Sequence, residues 1–269
     1  MTAPPAIAHV QRTLITRNAT SRGTRDIPEE TAVSFTYGSA TFAVMMATPQ
    51  DIEDFAIGFS LTEGIIQRAA EITAIEIVPH AQGIEARMAL SGSHSDQLES
   101  RRRRLAGPAG CGLCGIESLE AAVRPARAVH SNLQLRAETV FSAVASLREH
   151  QRLNAATRAV HAAGFWSADK SRLVAVREDV GRHNALDKLA GALARENIDA
   201  TGGFIVLSSR LSIELVQKAA AIGCPMLVAV SAPTNFALRS ADAAGMTLVA
   251  VARDDSFEVF THVHRIETS

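Results

Sequence analysis

Cys111 and Cys114 lie in the stretch Gly107-Pro108-Ala109-Gly110-Cys111-Gly112-Leu113-Cys114-Gly115. Four glycines and a proline in so short a segment cannot propagate a helix and need not form a strand, so the stretch reads as a mobile loop presenting two thiols. The thiolate is the form of cysteine that attacks a disulfide or persulfide and that binds metal. Redox exchange, zinc ligation with two histidines and sulfur transfer are all open to such a pair. No second Cys-x-x-Cys and no His-x-x-x-His completes a zinc set, so the lone pair is a weak metal signal. The third cysteine, Cys224 in Gly223-Cys224-Pro225, is most simply a small buried residue at the entrance to a strand.

Two histidines extend the list of reactive side chains. His161 opens Ala162-Ala163-Gly164-Phe165-Trp166. Zinc nucleobase deaminases pair His-x-Glu with a later Pro-Cys-x-x-Cys; here the cysteines come first and Ala163 stands in place of the glutamate, so deaminase chemistry is not supported. His183 is a candidate general acid or base on a helix expected from Val180 to Ala194. Asp187, one turn on, is the expected carboxylate partner.

Positioning these groups falls to two unequal parts. Residues 1–30 are polar, with scattered arginines and no sustained period, and read as an extended or frayed arm. Residues 31–105 read as a small α+β domain. Strand-like runs from Ala32 to Tyr37 and from Thr41 to Met45 flank Gly38-Ser39, and a second hairpin is expected from Ile72 to Val78 and Ile84 to Leu90. Between the hairpins a helix is expected to run to Ile66, with Thr48 as N-cap, Pro49 in the first turn and Asp51 reaching back. Arg101 to Arg104 read as a solvated face or linker, or alternatively as charges close enough to the cysteines to lower a thiol pKa. Residues 106–136 form the cysteine loop and a connector with a short helix over Ile116 to Val123. A longer helix over Ala137 to Leu153 opens the C-terminal α/β domain, residues 137–269.

That domain carries four continuous apolar runs, Leu173–Val176, Phe204–Leu207, Met226–Val230 and Met246–Val251, separated by helix-like segments. Continuous runs indicate a largely parallel sheet covered on both faces. Ligands of open α/β sheets bind outside the carboxyl ends of the strands. The residues there are Arg177, Asp179, Arg182 and His183; then Ser208, Ser209 and Arg210; then Ser231 and Thr234; then Arg253, Asp254, Asp255 and Ser256. Arginine, hydroxyl and amide groups along one edge suit phosphate oxygens and base edges, although any one Ser, Thr or Asp among them can be a plain helix cap. No Walker loop and no Gly-x-Gly-x-x-Gly follows a strand.

Composition narrows the classes further. At 269 residues and 47% hydrophobic the chain can bury a substantial core, and a formal net charge of -1 argues against a dedicated nucleic-acid binder. No run approaches the roughly 18 apolar residues of a membrane span, and the first segment, with Pro4 and Pro5, does not read as a secretory signal. A soluble, cytoplasmic protein with reduced thiols is expected.

The string Val176-Arg177-Glu178-Asp179-Val180-Gly181-Arg182-His183-Asn184-Ala185-Leu186-Asp187-Lys188-Leu189 resembles the signature of the FdhD/NarQ family, accessory sulfurtransferases of formate dehydrogenase. Matches in the same order are Cys111 to Gly115, His161-Ala162-Ala163, Ser208 to Glu214 with Lys218, Ser231 to Thr234, and the segment from Thr48 to Ile66. In one place the chain departs: Thr157-Arg158-Ala159-Val160 stands where the family has Thr-Gly-Gly. The resemblance implies that Cys111 takes persulfide sulfur from a cysteine desulfurase and passes it to the molybdenum or tungsten bis(molybdopterin guanine dinucleotide) cofactor, ahead of insertion into formate dehydrogenase. Cys114 would be a resolving thiol or an auxiliary carrier. The resemblance also implies a cytidine-deaminase-like core with a mixed sheet and no bound metal. It further implies cofactor contacts in the C-terminal domain, including Val251 to Ser256 and His161, with GDP or a GMP-like nucleotide as a surrogate ligand, and a homodimer. A rival of another class is a non-catalytic chaperone of the same cofactor.

Overall fold

The computed structural model describes residues 2–91 and 124–267; Cys111, Cys114, Arg101 to Arg104 and the short helix expected over Ile116 to Val123 lie outside the described residues. The chain begins with a hairpin rather than an arm. Strands β1 (Ile7–Ile15) and β2 (Thr20–Pro28) pair antiparallel over their whole length, and Thr16 closes the turn by accepting the N–H of Ala19 at 3.1 Å. Most of the hairpin is exposed. With no face buried in a core, its sequence carries no apolar alternation, which is why the pattern concealed it.

The N-terminal sheet has the order β4-β3-β6-β5, from β3 (Thr31–Tyr37), β4 (Ala40–Ala47), β5 (Ile72–His80) and β6 (Gly83–Leu90). Both expected hairpins form, and they join through a parallel β3–β6 pairing. Helix α1 (Ile52–Thr62) lies on this sheet, where Phe35 stacks on Phe59 at 4.4 Å and meets Phe55 edge-on at 4.9 Å. Its N-terminus differs from the expectation. Asp51, at φ 55°, precedes the first helical residue, and Thr48 is not the cap. Thr48 instead contacts the C-terminal part: its N–H donates to Asp179 at 3.0 Å, its hydroxyl accepts from the Val180 N–H at 3.1 Å, and its carbonyl accepts from Lys188 at 2.9 Å.

The C-terminal part is built on a six-stranded sheet of order β13-β12-β11-β10-β8-β9. Its strands are β8 (His161–Ser167), β9 (Arg172–Asp179), β10 (Gly203–Leu207), β11 (Met226–Ala229), β12 (Thr247–Ala250) and β13 (Glu258–Val259). The run β10-β11-β12 is parallel, but β8 is antiparallel to both β9 and β10, and β13 is antiparallel to β12. The sheet is therefore mixed, not largely parallel. Strand β8, rich in small residues and buried but for its first position, turns directly into β9 and inserts between it and β10. A short parallel pair, β7 (Leu135–Arg136) with β14 (Ile266–Glu267), ties in the C-terminus.

Helices cover both faces. Helices α4 (Arg182–Arg195), α5 (Ile213–Ala221) and α6 (Asn235–Ala243) bury Leu186, Leu189, Leu215 and Ala241 against Ile205, Leu207, Leu227 and Leu248. On the other face α2 (Ala137–His150) buries Val140, Val144 and Leu147 against Phe204, Val206, Val228 and Val249. Adjacent residues of β10 thus serve opposite cores, which explains the unbroken apolar runs. The single helix expected over Ala137 to Leu153 divides at Gln151 into α2 and α3 (Arg152–Thr157), where the Glu178 carboxylate accepts the N–H groups of Leu153 at 2.7 Å and Asn154 at 2.8 Å. Arg158 closes α3 at φ 57°, a left-handed turn made here without glycine.

Helices α1 and α4 join the two parts at a crossing lined by glycine. A Cβ on Gly191 would stand 1.8 Å from the carbonyl oxygen of Asp54, and one on Gly58 would stand 1.7 Å from that of Asp187. Gly191→Ala must therefore push the helices apart. A loss of about 1–3 kcal/mol is expected in urea unfolding, with helix content unchanged in the native baseline.

Candidate functional site

Because β8 runs against β10, its first residue lies at the edge where the parallel strands end. His161 is opposite Asp179, and Ala163 is opposite Leu207. The residues after β9, β10, β11 and β12 reach the same edge through the parallel registers of Val206 with Val228 and Val228 with Val249. The groups expected at the site are thereby brought together from four strand ends, with one exception.

The exception is Arg177 and Asp179, which face α1. The Arg177 guanidinium donates to Asp54 at 2.7 Å. Asp179, fully buried, accepts from Gly181 N–H at 2.7 Å, Asn184 Nδ2 at 2.9 Å and Thr48 N–H at 3.0 Å, and pairs with the equally buried Lys188 ammonium at 2.6 Å. All its lone pairs are engaged within the protein, so the expected ligand contact is corrected to a joint between the two parts.

Next to this joint the groups are differently disposed. The Ser208 hydroxyl accepts the Ala162 N–H at 2.8 Å and keeps its own proton to donate. Ser209 is buried and donates to the Arg210 carbonyl at 3.3 Å, while Arg210 itself is exposed. His183 does not meet Asp187. Asp187 is drawn into the α1 crossing, where it accepts from Thr62 at 2.6 Å and pairs with Lys218 at 3.0 Å. Burial opposes the charge on Lys218, and the carboxylates of Asp187 and Glu63 more than offset it. His183 Nε2 stands 3.8 Å from Glu214 Oε2, an ion-pair distance beyond hydrogen-bond reach. Burial alone would raise the Glu214 pKa, but the adjacent His183 and Ser212 side chains take it down to about 2. Burial, followed by the nearby charges of Arg182 and His183, holds the His161 imidazole below its ordinary value.

Arg182 Nε, His183 Nε2, Ser212 Oγ and Glu214 Oε2 are all buried and without a hydrogen-bond partner among the described residues. Such groups are rare in native structures, and each calls for a partner, a water or a functional role. Ser212 and Glu214 were not singled out as ligand contacts; the signal was the polar run from Ser208 to Glu214 just past a buried strand.

At the far end of the edge the hydroxyl of Thr234 accepts the Ala237 N–H at 3.2 Å, so Thr234 caps α6. The Ser231 carbonyl accepts the Val251 N–H at 3.3 Å. Val251 has φ 52°, a left-handed conformation that is a real outlier for a β-branched residue, of the kind that clusters at ligand clamps and switches. Buried Ala252 follows, and Arg253 to Ser256 are exposed. The Arg253 N–H donates to the Ser256 carbonyl at 2.7 Å and its guanidinium to the Ala252 carbonyl at 3.0 Å; Asp254 pairs with Arg148, and Ser256 donates to Asp255 at 3.1 Å. The result is a tight turn whose outer face is polar.

Cys224 is fully buried, and burial raises its thiol to about 12. It is not a nucleophile at neutral pH. Among the described residues no helix is long and apolar enough to cross a membrane.

Comparison with known proteins agrees with this architecture. The FdhD/NarQ family model matches residues 28–267. The chain is 52% identical over 258 residues to a sulfur carrier protein FdhD of Agrobacterium fabrum, covering 96% of this chain and 95% of that one. It is 51% identical over 243 residues to a protein of the same name in Brucella abortus, covering 90% of each. A solved structure from Desulfotalea psychrophila, described as a formate dehydrogenase accessory protein, superposes with a TM-score of 0.75 over 98% of this chain and 100% of that one, at 24% identity. With a family model and close relatives both spanning nearly its whole length, the chain belongs to the FdhD/NarQ family.

Proposed function

We propose that the protein is a sulfurtransferase that matures formate dehydrogenase in the cytoplasm. It accepts persulfide sulfur from a cysteine desulfurase on Cys111 and delivers it to the bis(molybdopterin guanine dinucleotide) cofactor, its client. The polar edge of the C-terminal sheet holds the dinucleotide, a homodimer is the working form, and the six-stranded sheet is the deaminase-like core without a metal. The observation that carries this reading is the group of buried, unpartnered polar atoms at Arg182, His183, Ser212 and Glu214, beside His161 and Ser208. These atoms fit a polar ligand bound at the edge, and GDP is its simplest surrogate. The naming of the relatives as sulfur carrier proteins supports the sulfur transfer.

The first transfer is a thiol exchange. The Cys111 thiolate attacks the terminal sulfur of the donor persulfide, the donor S–S bond breaks, and the donor cysteine leaves as a thiolate, so Cys111 ends as a persulfide without any external oxidant. Cys224 takes no part, since its thiol is buried and protonated.

The test is mass spectrometry after incubation with a cysteine desulfurase and cysteine. One added sulfur atom on Cys111, removed by reductant, is expected. A protein that binds GDP yet never acquires sulfur would instead be a non-catalytic chaperone of the cofactor.

A further inference from the structure

We propose that Glu214 reads the guanine base of the client, accepting from its N1–H and exocyclic amino group while His183 and Arg182 donate to its acceptor atoms. This rests on the proposed binding of a guanine dinucleotide at the sheet edge, and it assigns the base to one end of that edge.

Leaving one buried polar group unpaired costs about 1–3 kcal/mol. Four of them, at the start of α4 and the start of α5, have no complement among the described residues, which suits a ligand that supplies it. Their chemistry is mixed. Arg182 Nε donates only, His183 Nε2 donates when it carries the ring proton, Ser212 Oγ does either, and Glu214 Oε2, from a carboxylate ionised at neutral pH, accepts only.

A phosphate does not satisfy this set. Its oxygens would suit Arg182 and His183 but would be repelled by the adjacent carboxylate, and Glu214 would stay unpaired. A ligand that takes the place of water here needs donors next to acceptors. Guanine has them, with O6 and N7 as acceptors and N1–H and the 2-amino group as donors, whereas adenine has no proton on N1. The 3.8 Å separation of His183 Nε2 from Glu214 Oε2 places a donor and an acceptor side by side, as adjacent guanine atoms require. The phosphates are then free to lie along the rest of the edge, towards Ser208 and the exposed Arg210.

Calorimetry with GDP, IDP, which lacks the 2-amino group, ADP and XDP, which carries a carbonyl there, tests the assignment. The wild-type chain is expected to bind GDP roughly tenfold or more tightly than IDP or ADP and to reject XDP. Glu214→Gln should lose the preference of GDP over IDP and gain binding of XDP, because the new amide donates where the carboxylate could only accept. Gained affinity cannot come from a misfolded variant. Retention of the GDP preference over IDP and XDP in Glu214→Gln overturns the assignment while leaving dinucleotide binding intact. A wild-type chain that binds none of the four nucleotides overturns the binding reading and this inference together.

Discussion

Replacing Cys111 with alanine is expected to abolish activation of formate dehydrogenase while leaving GDP affinity within about twofold of wild type, since one buried contact typically changes affinity by more than that. The expectation follows from counting thiols. The chain has three cysteines, and the third is shut inside the core with its pKa raised to about 12. That leaves Cys111 and Cys114, of which Cys111 is the proposed acceptor. Every other residue proposed to touch the dinucleotide comes from β8 or from the segments after β9 to β12, elements with their own cores, so removing one sulfur should not disturb them. The assay is formate dehydrogenase activity in cells lacking the native carrier, with nucleotide binding to the purified variant measured alongside. Undiminished activation would remove Cys111 from the mechanism.

Asp179→Ala is expected to cost about 3–5 kcal/mol of unfolding free energy, a large share of the stability of an ordinary domain. Asp179 is the only carboxylate paired with Lys188 among the described residues, and both side chains are fully buried. Burial already pushes the Lys188 pKa down, and Asp179 is the principal group that opposes this shift. Without it a buried ammonium keeps the Thr48 carbonyl and the face of Phe55 but no opposite charge within ion-pair distance among the described residues, while the N–H groups of Thr48 and Gly181 lose their acceptor. The double variant Asp179→Ala/Lys188→Met removes the stranded charge and should recover part of the loss, whereas a pair that contributed nothing would give additive changes. Equilibrium urea unfolding of the wild type, both single variants and the double variant measures the coupling directly. Because Thr48 lies in the loop before α1, weakening this joint should also loosen the contact between the two parts of the protein, visible as faster amide exchange around α1 and α4.

Much of the architecture could be read from the chain. The runs Phe204–Leu207, Met226–Ala229 and Thr247–Ala250 are strands buried on both faces, and a strand in that position must be apolar throughout, so its pattern survives in the sequence. The two N-terminal hairpins were legible because one face of each is half-buried, and the polar residues after the strands were legible because ligand edges of such sheets lie there. Cys111 and Cys114 stood out by composition and spacing alone.

Other features depended on partners far away in the chain. The hairpin of β1 and β2 has no core face and so leaves no periodic trace. The antiparallel insertion of β8 depends on which strands it pairs with, and pairing partners are not encoded in a run of small residues. Thr48 has the character of a helix cap but bonds to Asp179, Val180 and Lys188 across the joint. Asp187 has the right spacing to serve His183, yet the crossing of α1 and α4 turns it towards Thr62 and Lys218, and the carboxylate facing His183 comes from Glu214 instead. By itself the sequence determined which segments are buried, which strand ends are polar and which cysteines share a glycine-rich stretch, because burial and chemistry are properties of each residue. Tertiary structure alone decided which charge meets which, because the geometry of a crossing helix pair and an inserted strand is set by packing between elements that are distant in sequence.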